Sequence, residues 1–419
     1  MRSRSLGEYY QDCFMIKCHV PINFNNPMKS DTAFSLGTFI HEYFHFLQNS
    51  MTTFGNFRMG IFYARMMNIY NQLSQGISIN DVKLDCEGIE VPAQQADIAL
   101  GDMDDWTYEE YDFIEIENVS FEPDECLGEL KNNAVPTIKL KIFKDKSFQI
   151  KELNFGAMCI MENMADMLDR HLYGSSRHKE YVQYGICEML WCYMLGDSIP
   201  AWREKLFLSL EFSLMYDNPA QVFYCFLNYA GKIDREENIT DNYVFDFYVK
   251  ILHPNYINTY NKMYIEMMKK FNDIVKESNS YTEHLNKYVV DMMVSFRALR
   301  KKRPIIFTNL YKMDKEECKK SLITLMNVGA PLILDKDDYI YAGTKYEKKH
   351  LGMEEYAAMY ALYRMVGINR ELGCVLQPVC EAYKNDIVDS NCAMNPLLHG
   401  KYEKLCFLGQ LLYMWKAQV

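Results

Sequence analysis

The chain has 419 residues, of which 49% are hydrophobic and 24% charged, the balance of an ordinary globular protein with enough apolar surface for a large core. Acidic residues outnumber lysine and arginine by 56 to 45, so the formal net charge is -11. This excess argues against nucleic-acid binding, which needs a concentrated basic patch. The sequence contains no run of 18 apolar residues, so it predicts no membrane span. We therefore expect neither nucleic acid nor a membrane among its partners, and its oligomeric state stays open.

The N-terminal segment, residues 1–12, lacks the continuous apolar core of a signal peptide. The chain has 13 cysteines, and an odd number leaves at least one thiol unpaired. Both observations favour a cytoplasmic protein with mostly reduced thiols.

The first predicted elements are a strand over residues 13–21 and a helix that follows it. Apolar side chains recur at helical spacing over residues 36–47. Asp31 or Ser35 can cap the start of this helix, and Gly55 can end it.

This helix carries the pattern His-Glu-x-x-His at residues 41–45. His41 and His45 lie one turn apart on one face, where both can bind the same metal ion. A zinc ion held by two histidines leaves room for a water molecule, and Glu42 can take a proton from that water, as peptide hydrolysis requires. The alternative is a core helix with two hydrogen-bonded histidines. Burying these polar side chains among Phe, Ile and Leu is costly without a metal or other partners.

A second helix is predicted through residues 62–73. Between residues 76 and 153 the hydrophobic pattern then changes from helical spacing to alternation. Alternation with period two then predicts three strands, at residues 113–121, 137–143 and 147–151. We expect them to shield one side of a cleft, with an edge strand that pairs with an extended substrate.

A zinc site of this kind needs a third protein ligand, and the residues after His45 narrow the choice. The metzincin continuation requires Gly and His where this chain has Gln48 and Met51, so that pattern is excluded. The remaining common solution is a glutamate from a second helix, often with an aspartate one turn later that holds a histidine by its other ring nitrogen. Three Glu-x-x-x-Asp pairs occur in the chain: Glu8/Asp12, Glu162/Asp166 and Glu237/Asp241.

Only Glu162 and Asp166 lie in a strongly apolar helical pattern, where the two carboxylates share a face. We therefore predict Glu162 as the third ligand and Asp166 as its supporting carboxylate. A solvated stripe is the alternative, because Asp169 and Tyr173 continue along the same face. Glu188 is the reserve ligand.

On these two helices, residues 32–50 and 156–172, the chain resembles the gluzincins, the thermolysin-like branch of the zincin metallopeptidases. The resemblance implies one Zn²⁺ per chain and a set of site residues: ligands His41, His45 and Glu162, general base Glu42, and supporting carboxylate Asp166. The chain departs from that branch in spacing, since Glu162 follows His45 by 117 residues. An insertion must therefore lie between the two helices.

Helical patterns continue from Tyr173 to Arg300, a β-hairpin is predicted over residues 332–341, and helices resume at Met353. The sequence thus predicts an α+β, mainly helical protein with a zincin-like catalytic core, a small β-sheet region and a large helical C-terminal half. We divide it into four parts: residues 1–75 with the first strand and the zinc-motif helix, residues 76–155 as a β-rich insertion and upper cleft wall, residues 156–300 with the third-ligand helix and a helical region, and residues 301–419 with the hairpin and further helices.

The predicted activity is that of a zinc-dependent peptidase acting on protein or peptide substrates. The oxyanion formed in the reaction needs a hydrogen-bond donor or cation opposite Glu42. Five candidates follow the third ligand: Arg170, His171, His178, Tyr181 and Tyr184. The lack of an exopeptidase signature favours an endopeptidase. Two alternatives stay open: an aminopeptidase or other metal hydrolase on the same core, and a zincin-fold binding or regulatory protein without turnover.

Two other clusters have ordinary explanations. Residues 297–303 hold five cations, which suit a charged helix end before a proline stop better than a site for an anionic partner. Four cysteines and one histidine lie close to the end of the sequence: Cys374, Cys380, Cys392, Cys406 and His399. They lack the close cysteine pair that usually binds structural zinc, so buried free thiols are predicted and a second metal site is the alternative.

Overall fold

The computed structural model of the chain describes residues 7–10, 14–20, 33–84, 86–102, 113–121, 134–144, 146–174, 182–197, 199, 201–232, 239–252, 256–277, 283–334, 340–342, 353–367, 373–374, 376–382, 388–401 and 406–417. Helices dominate these residues, and the strands form two small sheets. The prediction of a mainly helical α+β protein is confirmed at this level.

The elements up to residue 174 are strands β1 (Gly7–Tyr10) and β2 (Met15–Cys18), helices α1 (Ala33–Met51) and α2 (Thr53–Ser74), a short 3₁₀ turn (Ile79–Asp81), helix α3 (Glu90–Leu100), strands β3 (Phe113–Ser120), β4 (Thr137–Lys144) and β5 (Ser147–Asn154), and helix α4 (Ala157–Tyr173). Helix α4 ends where Gly174 adopts a left-handed conformation with φ of 78°. That backbone conformation favours glycine, so the sequence fixes the end of α4.

The later elements are helices α5 (Val182–Leu195), α6 (Trp202–Ser213), α7 (Pro219–Ala230) and α8 (Asp241–Asp246), a π-helical turn (Phe247–Leu252), helices α9 (Tyr256–Glu277), α10 (Glu283–Lys302), α11 (Ile306–Lys312) and α12 (Lys315–Val328), strands β6 (Leu332–Leu334) and β7 (Ile340–Ala342), helices α13 (Met353–Gly367), α14 (Gln377–Ala382) and α15 (Asn391–Met394), a 3₁₀ turn (Pro396–Lys401) and helix α16 (Phe407–Met414). Local sequence sets several helix starts. The Asp314 side chain accepts hydrogen bonds from two backbone amides at the start of α12, and Pro219 follows the Asn218 cap at the start of α7.

The two sheets differ in how their strands come together. The first sheet has the order β1-β2-β6-β7, in which β2 pairs with β6 in parallel and the other neighbours are antiparallel. The second sheet is an antiparallel meander, β3-β4-β5. Its central strand buries alternate side chains, Ile138, Leu140 and Ile142, as the period-two pattern predicts.

Helix α1 lies at the centre of the first half of the molecule. It packs against β1 and β2 on one side and against α2, α4 and α10 on the others. Its side chains Phe39, Tyr43, Phe44, Phe46 and Leu47 are fully buried. Because α4 also contacts α1, the two helices that carry the predicted zinc ligands lie next to each other.

The junction between α1 and α2 differs from the prediction. Helix α1 ends at Met51, and Gly55 lies inside α2 instead of ending α1. The real boundary is set by Thr52, whose side-chain oxygen accepts a hydrogen bond from the Gly55 amide at 3.0 Å. Ser35 lies within α1, and Asp31 falls outside the described residues.

The predicted division into four parts stays a prediction. One pairing does join its first part to its last, because β2 and β6 are neighbours in the first sheet. In the part of the chain that the structure describes, no helix combines the length and hydrophobicity that a membrane span requires.

Candidate metal centre

Three predicted ligands meet between α1 and α4. The Nε2 atom of His41 lies 3.1 Å from Glu162 Oε2, the Nε2 atom of His45 lies 3.4 Å from the same oxygen, and the two nitrogens are 3.2 Å apart. Zinc bonds of about 2.0 to 2.2 Å in a tetrahedron place neighbouring donor atoms about 3.3 to 3.6 Å apart. The observed triangle is close to one face of such a tetrahedron. These side chains therefore fit a zinc ion, with the fourth position left for water or substrate.

The charges around this triangle favour a cation. Burial by itself lowers the pKa of His41, but the hydrogen bond and negative charge of Glu162 outweigh burial and raise it to about 9. Burial raises the pKa of Glu162, and the two histidines reverse that effect and hold its pKa below the usual range. A positive charge between the rings and the carboxylate thus stabilises the group, and a metal ion can supply it.

Glu42 lies beside the triangle and is almost completely buried, with 7% of its surface exposed. Burial raises its pKa above the usual value, while the charges of His41 and His45 act in the opposite direction. A carboxylate whose pKa is raised accepts a proton from water more readily near neutral pH.

Sequence reasoning missed Gln48, which holds the second ring nitrogen of a predicted ligand. Gln48 Oε1 lies 2.8 Å from His45 Nδ1, and Gln48 Nε2 donates to the carbonyl of Met161, the residue before Glu162, at 3.2 Å. One amide therefore orients a ligand on α1 and ties it to the backbone of α4. The available signal in the sequence was a glutamine three positions after His45, on the same face of the helix. In the structure this side chain is 1% exposed.

Asp166 is buried near His41, but its carboxylate is hydrogen-bonded to Arg170. Its Oδ2 atom accepts from Arg170 Nε at 2.7 Å, and its buried Oδ1 atom has no hydrogen-bond partner among the described residues. The alternative of a solvated stripe is wrong, since Asp166 and Asp169 are each 2% exposed. The face that carries Glu162 is thus part of the interior.

The reserve ligand Glu188 is engaged elsewhere. Its carboxylate pairs with Arg170 and, at 3.1 Å, with Arg203. Arg170 also pairs with Asp166, so four charged side chains form one network beside the site.

The other two Glu-x-x-x-Asp pairs do not complete a site among the described residues. Glu8 lies on β1 and pairs with Tyr10 and His19. Asp241 pairs with Lys312. Their partners in the pattern, Asp12 and Glu237, fall outside the described residues.

Strand β1 is in direct contact with Glu42. A Cβ atom added at Gly7 would lie 2.8 Å from Glu42 Cγ and 2.9 Å from both Glu42 Oε1 and Thr38 Cγ2. Only glycine lets the strand approach this closely. The sheet against the predicted catalytic helix is therefore the first one, whereas β3 of the second sheet packs against α5.

The oxyanion candidates lie at different distances from the ligands. The ring of Tyr184 lies 5.8 Å from the ring of His41. His171 is exposed, with Nε2 2.7 Å from the carbonyl oxygen of Met313, and Arg170 is bound to Asp166 and Glu188. His178 and Tyr181 fall outside the described residues.

Comparison with known proteins adds no relative. The sequence matches no protein-family profile and no curated protein, and the fold matches no solved structure. The geometry of the site is therefore the whole basis for a functional assignment.

Proposed function

We propose that the protein is a zinc-dependent metallopeptidase, of the endopeptidase type, that hydrolyses protein or peptide substrates. The observation that carries this proposal is the triangle of His41 Nε2, His45 Nε2 and Glu162 Oε2, with edges of 3.1 to 3.4 Å. Its size suits zinc, and Glu42 lies next to it on the same helix turn. Together with the first sheet, α1 and α4 form what we propose to be a zincin-like catalytic core with one catalytic zinc per chain.

Each residue of the site has a defined task in this proposal. When bound, zinc polarises the scissile carbonyl and makes water more acidic. Glu42 removes a proton from the attacking water and delivers it to the leaving amine. Gln48 keeps the His45 ring in position, and Asp166 contributes a negative charge close to His41.

Tyr184 is the best-placed described candidate for stabilising the oxyanion. Burial raises the pKa of its phenol well above the usual value, so the hydroxyl keeps its proton and can donate a hydrogen bond. Its ring already contacts that of His41.

Substrate binding is assigned to β1 in this proposal. Strand β1 is at the edge of the first sheet, and among the described residues it pairs only with β2. An extended peptide that added to its outer edge would run past Glu42, because Gly7 touches that side chain. The second sheet, predicted as the cleft wall, is not the one in contact with the general base.

Two substitutions test the proposal. We expect Glu42→Gln to keep the zinc content of the wild type while abolishing cleavage, since only the proton acceptor is removed. We expect His45→Ala to lose one zinc ion as well as activity. Zinc is measured by mass spectrometry of metals, and activity with internally quenched peptides and with free-amine reporters in parallel.

The outcomes separate the alternatives. Cleavage of the free-amine reporters alone would indicate an aminopeptidase. A zinc-loaded wild type that cleaves no peptide in a broad library, with Glu42→Gln unchanged in every cellular effect, would overturn the peptidase assignment in favour of a binding protein.

A further inference from the structure

Glu8 follows directly on the residue of β1 that touches the general base. Gly7 faces α1, because a Cβ atom there would lie 2.8 Å from Glu42 Cγ. Tyr9 faces α1 as well, since its hydroxyl accepts a hydrogen bond from Asn49 Nδ2 at 3.1 Å. Successive side chains of a strand point to opposite faces of the sheet. The side chain of Glu8 therefore lies on the face of β1 that turns away from α1, one residue from the contact with Glu42.

The Glu8 carboxylate is held in place and is accessible. The Tyr10 hydroxyl donates a hydrogen bond to its Oε2 atom, and 42% of the Glu8 side chain is exposed. Its Oε1 atom lies 3.6 Å from His19 Nε2, which is longer than a hydrogen bond. An ionised carboxylate has about four acceptor sites, so Glu8 can bind a further donor.

The pairing of β1 with β2 shows which charges a peptide on β1 would meet. Glu8 is opposite Lys17 in the antiparallel register, so its neighbour on the β2 side is a cation. A peptide on the other edge of β1 would place one side chain beside Glu8, with about 4.5 to 5.5 Å between the Cβ atoms. Lys17 would then be two strand spacings from that side chain, about 10 Å, where salt screens its charge. Glu8 is thus the nearest strand charge to the peptide side chain.

We propose that Glu8 selects substrates that carry lysine or arginine at the position facing it, next to the scissile bond. Opposite charges on neighbouring strands attract, and like charges repel, so aspartate and glutamate should be disfavoured at the same position. The peptide residue that faces Glu8 is adjacent to the one that faces Gly7, and Gly7 touches the general base. This inference rests on the proposed peptidase function and on the addition of the peptide to β1.

Exchanging the charges across β1 and β2 tests the preference. The zinc-loaded full-length protein is given internally quenched peptides that carry Lys, Gln or Glu at each position in turn, and mass spectrometry maps the cleavage sites. At one position beside the scissile bond we expect the wild type to prefer Lys over Gln by up to about fivefold in kcat/KM, as one cross-strand ion pair supplies. The difference should appear in KM and not in kcat, because Glu8 does not touch the reacting atoms.

Two variants should change this preference in different ways. Glu8→Gln should remove it. Glu8→Lys/Lys17→Glu keeps opposite charges between β1 and β2 and leaves the net charge unchanged, and it should invert the preference towards Glu. Zinc content equal to that of the wild type checks that the site is intact in each variant. Glu8→Gln leaves Lys17 in place, so it still tests the inference if the double variant fails to fold.

The matched control is the same exchange on the second sheet, Glu115→Lys/Lys141→Glu. Glu115 lies on the edge strand β3 with 45% of its side chain exposed, opposite Lys141 in the register and 3.0 Å from its Nζ atom. This pair resembles Glu8 and Lys17 in exposure and position but does not belong to the sheet that packs against α1. The exchange should leave the preference for Lys unchanged.

The outcomes separate this inference from the peptidase assignment. A wild type that cleaves peptides without favouring Lys beside the scissile bond would overturn the inference and leave the assignment intact. A preference that both Glu8 variants retain would do the same. A preference that changes only with the exchange at Glu115 and Lys141 would overturn it in favour of substrate binding at the second sheet. If the zinc-loaded wild type cleaves no peptide at all, the peptidase assignment fails and this inference fails with it.

Discussion

The ring of His45 is held at both nitrogens, since Nε2 belongs to the ligand triangle and Nδ1 lies 2.8 Å from Gln48 Oε1. Replacing Gln48 by alanine frees the ring to rotate and removes the bond to the Met161 carbonyl. We expect zinc affinity at this site to fall by about 10- to 100-fold, as for other residues that orient metal ligands. Competition with a fluorescent chelator measures the change. Gln221→Ala, at another buried glutamine, should leave the affinity unchanged. Equal affinity in the Gln48 variant and the wild type would show that Gln48 does not position His45.

The carboxyl group of Asp166 should make the metal-free protein less stable at neutral pH. Burial raises its pKa from 3.8 to about 6, even though Arg170 opposes the change. The folded state thus binds the proton more tightly than the unfolded state. This contribution to stability is present at low pH and is lost as the pH rises through about 6.

Asp166→Asn should remove this pH dependence. When a chelator keeps the protein metal-free at pH 8, we expect the free energy of unfolding of the variant to exceed that of the wild type by up to about 3 kcal/mol, which corresponds to a pKa shift of about two units. Near pH 4 we expect the difference to vanish. Urea unfolding at both pH values measures it. Asp246→Asn is the control, because Asp246 pairs with Lys250 at the same i,i+4 spacing but on the surface. A stability difference that is the same at both pH values would contradict the assignment.

The three predicted ligands that the structure brings together have local signals in the sequence. His41 and His45 share a face because they are four positions apart, and Glu162 stood out as an acid in an apolar helix. Gly7 gave no such signal. Its contact with Glu42 arises only when a strand 35 positions earlier in the chain packs on α1. Asp166 was expected beside a histidine, but the local i,i+4 partner Arg170 takes the bond.

At the level of elements, the junction of α1 and α2 depends on one glycine. A Cβ atom at Gly55 would lie 2.0 Å from the carbonyl oxygen of Asn49, whereas one at Gly60, in the same helix, would have no contact closer than 3.7 Å. We expect Gly55→Ala to destabilise the protein by about 1 to 3 kcal/mol or more through overpacking. We expect Gly60→Ala to be neutral or to stabilise it by up to about 1 kcal/mol, because alanine favours helix. Chemical denaturation compares the two, and similar values for both variants would contradict this account of the junction.

The strands show why the position of a strand is easier to predict than the strand with which it pairs. Alternation located β3, β4 and β5, and consecutive antiparallel strands pair with one another. The first sheet needs β2 to pair with β6, more than 300 residues later in the chain, and no local pattern encodes that choice. The sheet that packs against α1 is the first one, and the cleft-wall role that the sequence predicts for β3, β4 and β5 stays a prediction.

At the scale of the whole molecule, one continuous hydrophobic core runs from Phe14 to Trp415. The candidate metal centre draws on β1, α1 and α4, and α1 also packs against α10 from the later helices. Support for the site thus extends well beyond its ligands. A substitution that destabilises the helical half should therefore also weaken metal binding, because α10 packs against α1.

A buried ion pair in that helical half can be used to test whether the helical half and the metal centre are stabilised together. Arg300 on α10 and Glu211 on α6 are both completely buried, and the Glu211 carboxylate also accepts hydrogen bonds from the amides of Phe307 and Thr308 at the start of α11. The basic segment predicted as a charged helix end therefore contains one cation that belongs to the core. Three helices depend on this pair.

Arg300→Met should leave the Glu211 charge buried without its cation. We expect a loss of about 3 to 5 kcal/mol in the free energy of unfolding, the usual cost of breaking one side of a buried pair. Arg297→Met, one turn earlier on α10, removes only contacts with Asn261 and the Tyr264 ring and should cost about 1 kcal/mol or less. Urea unfolding measures both variants. Equal effects would mean that the pair is not what joins α6, α10 and α11. A large loss for Arg300→Met with weakened zinc binding would instead show that the helical half and the metal centre are stabilised together.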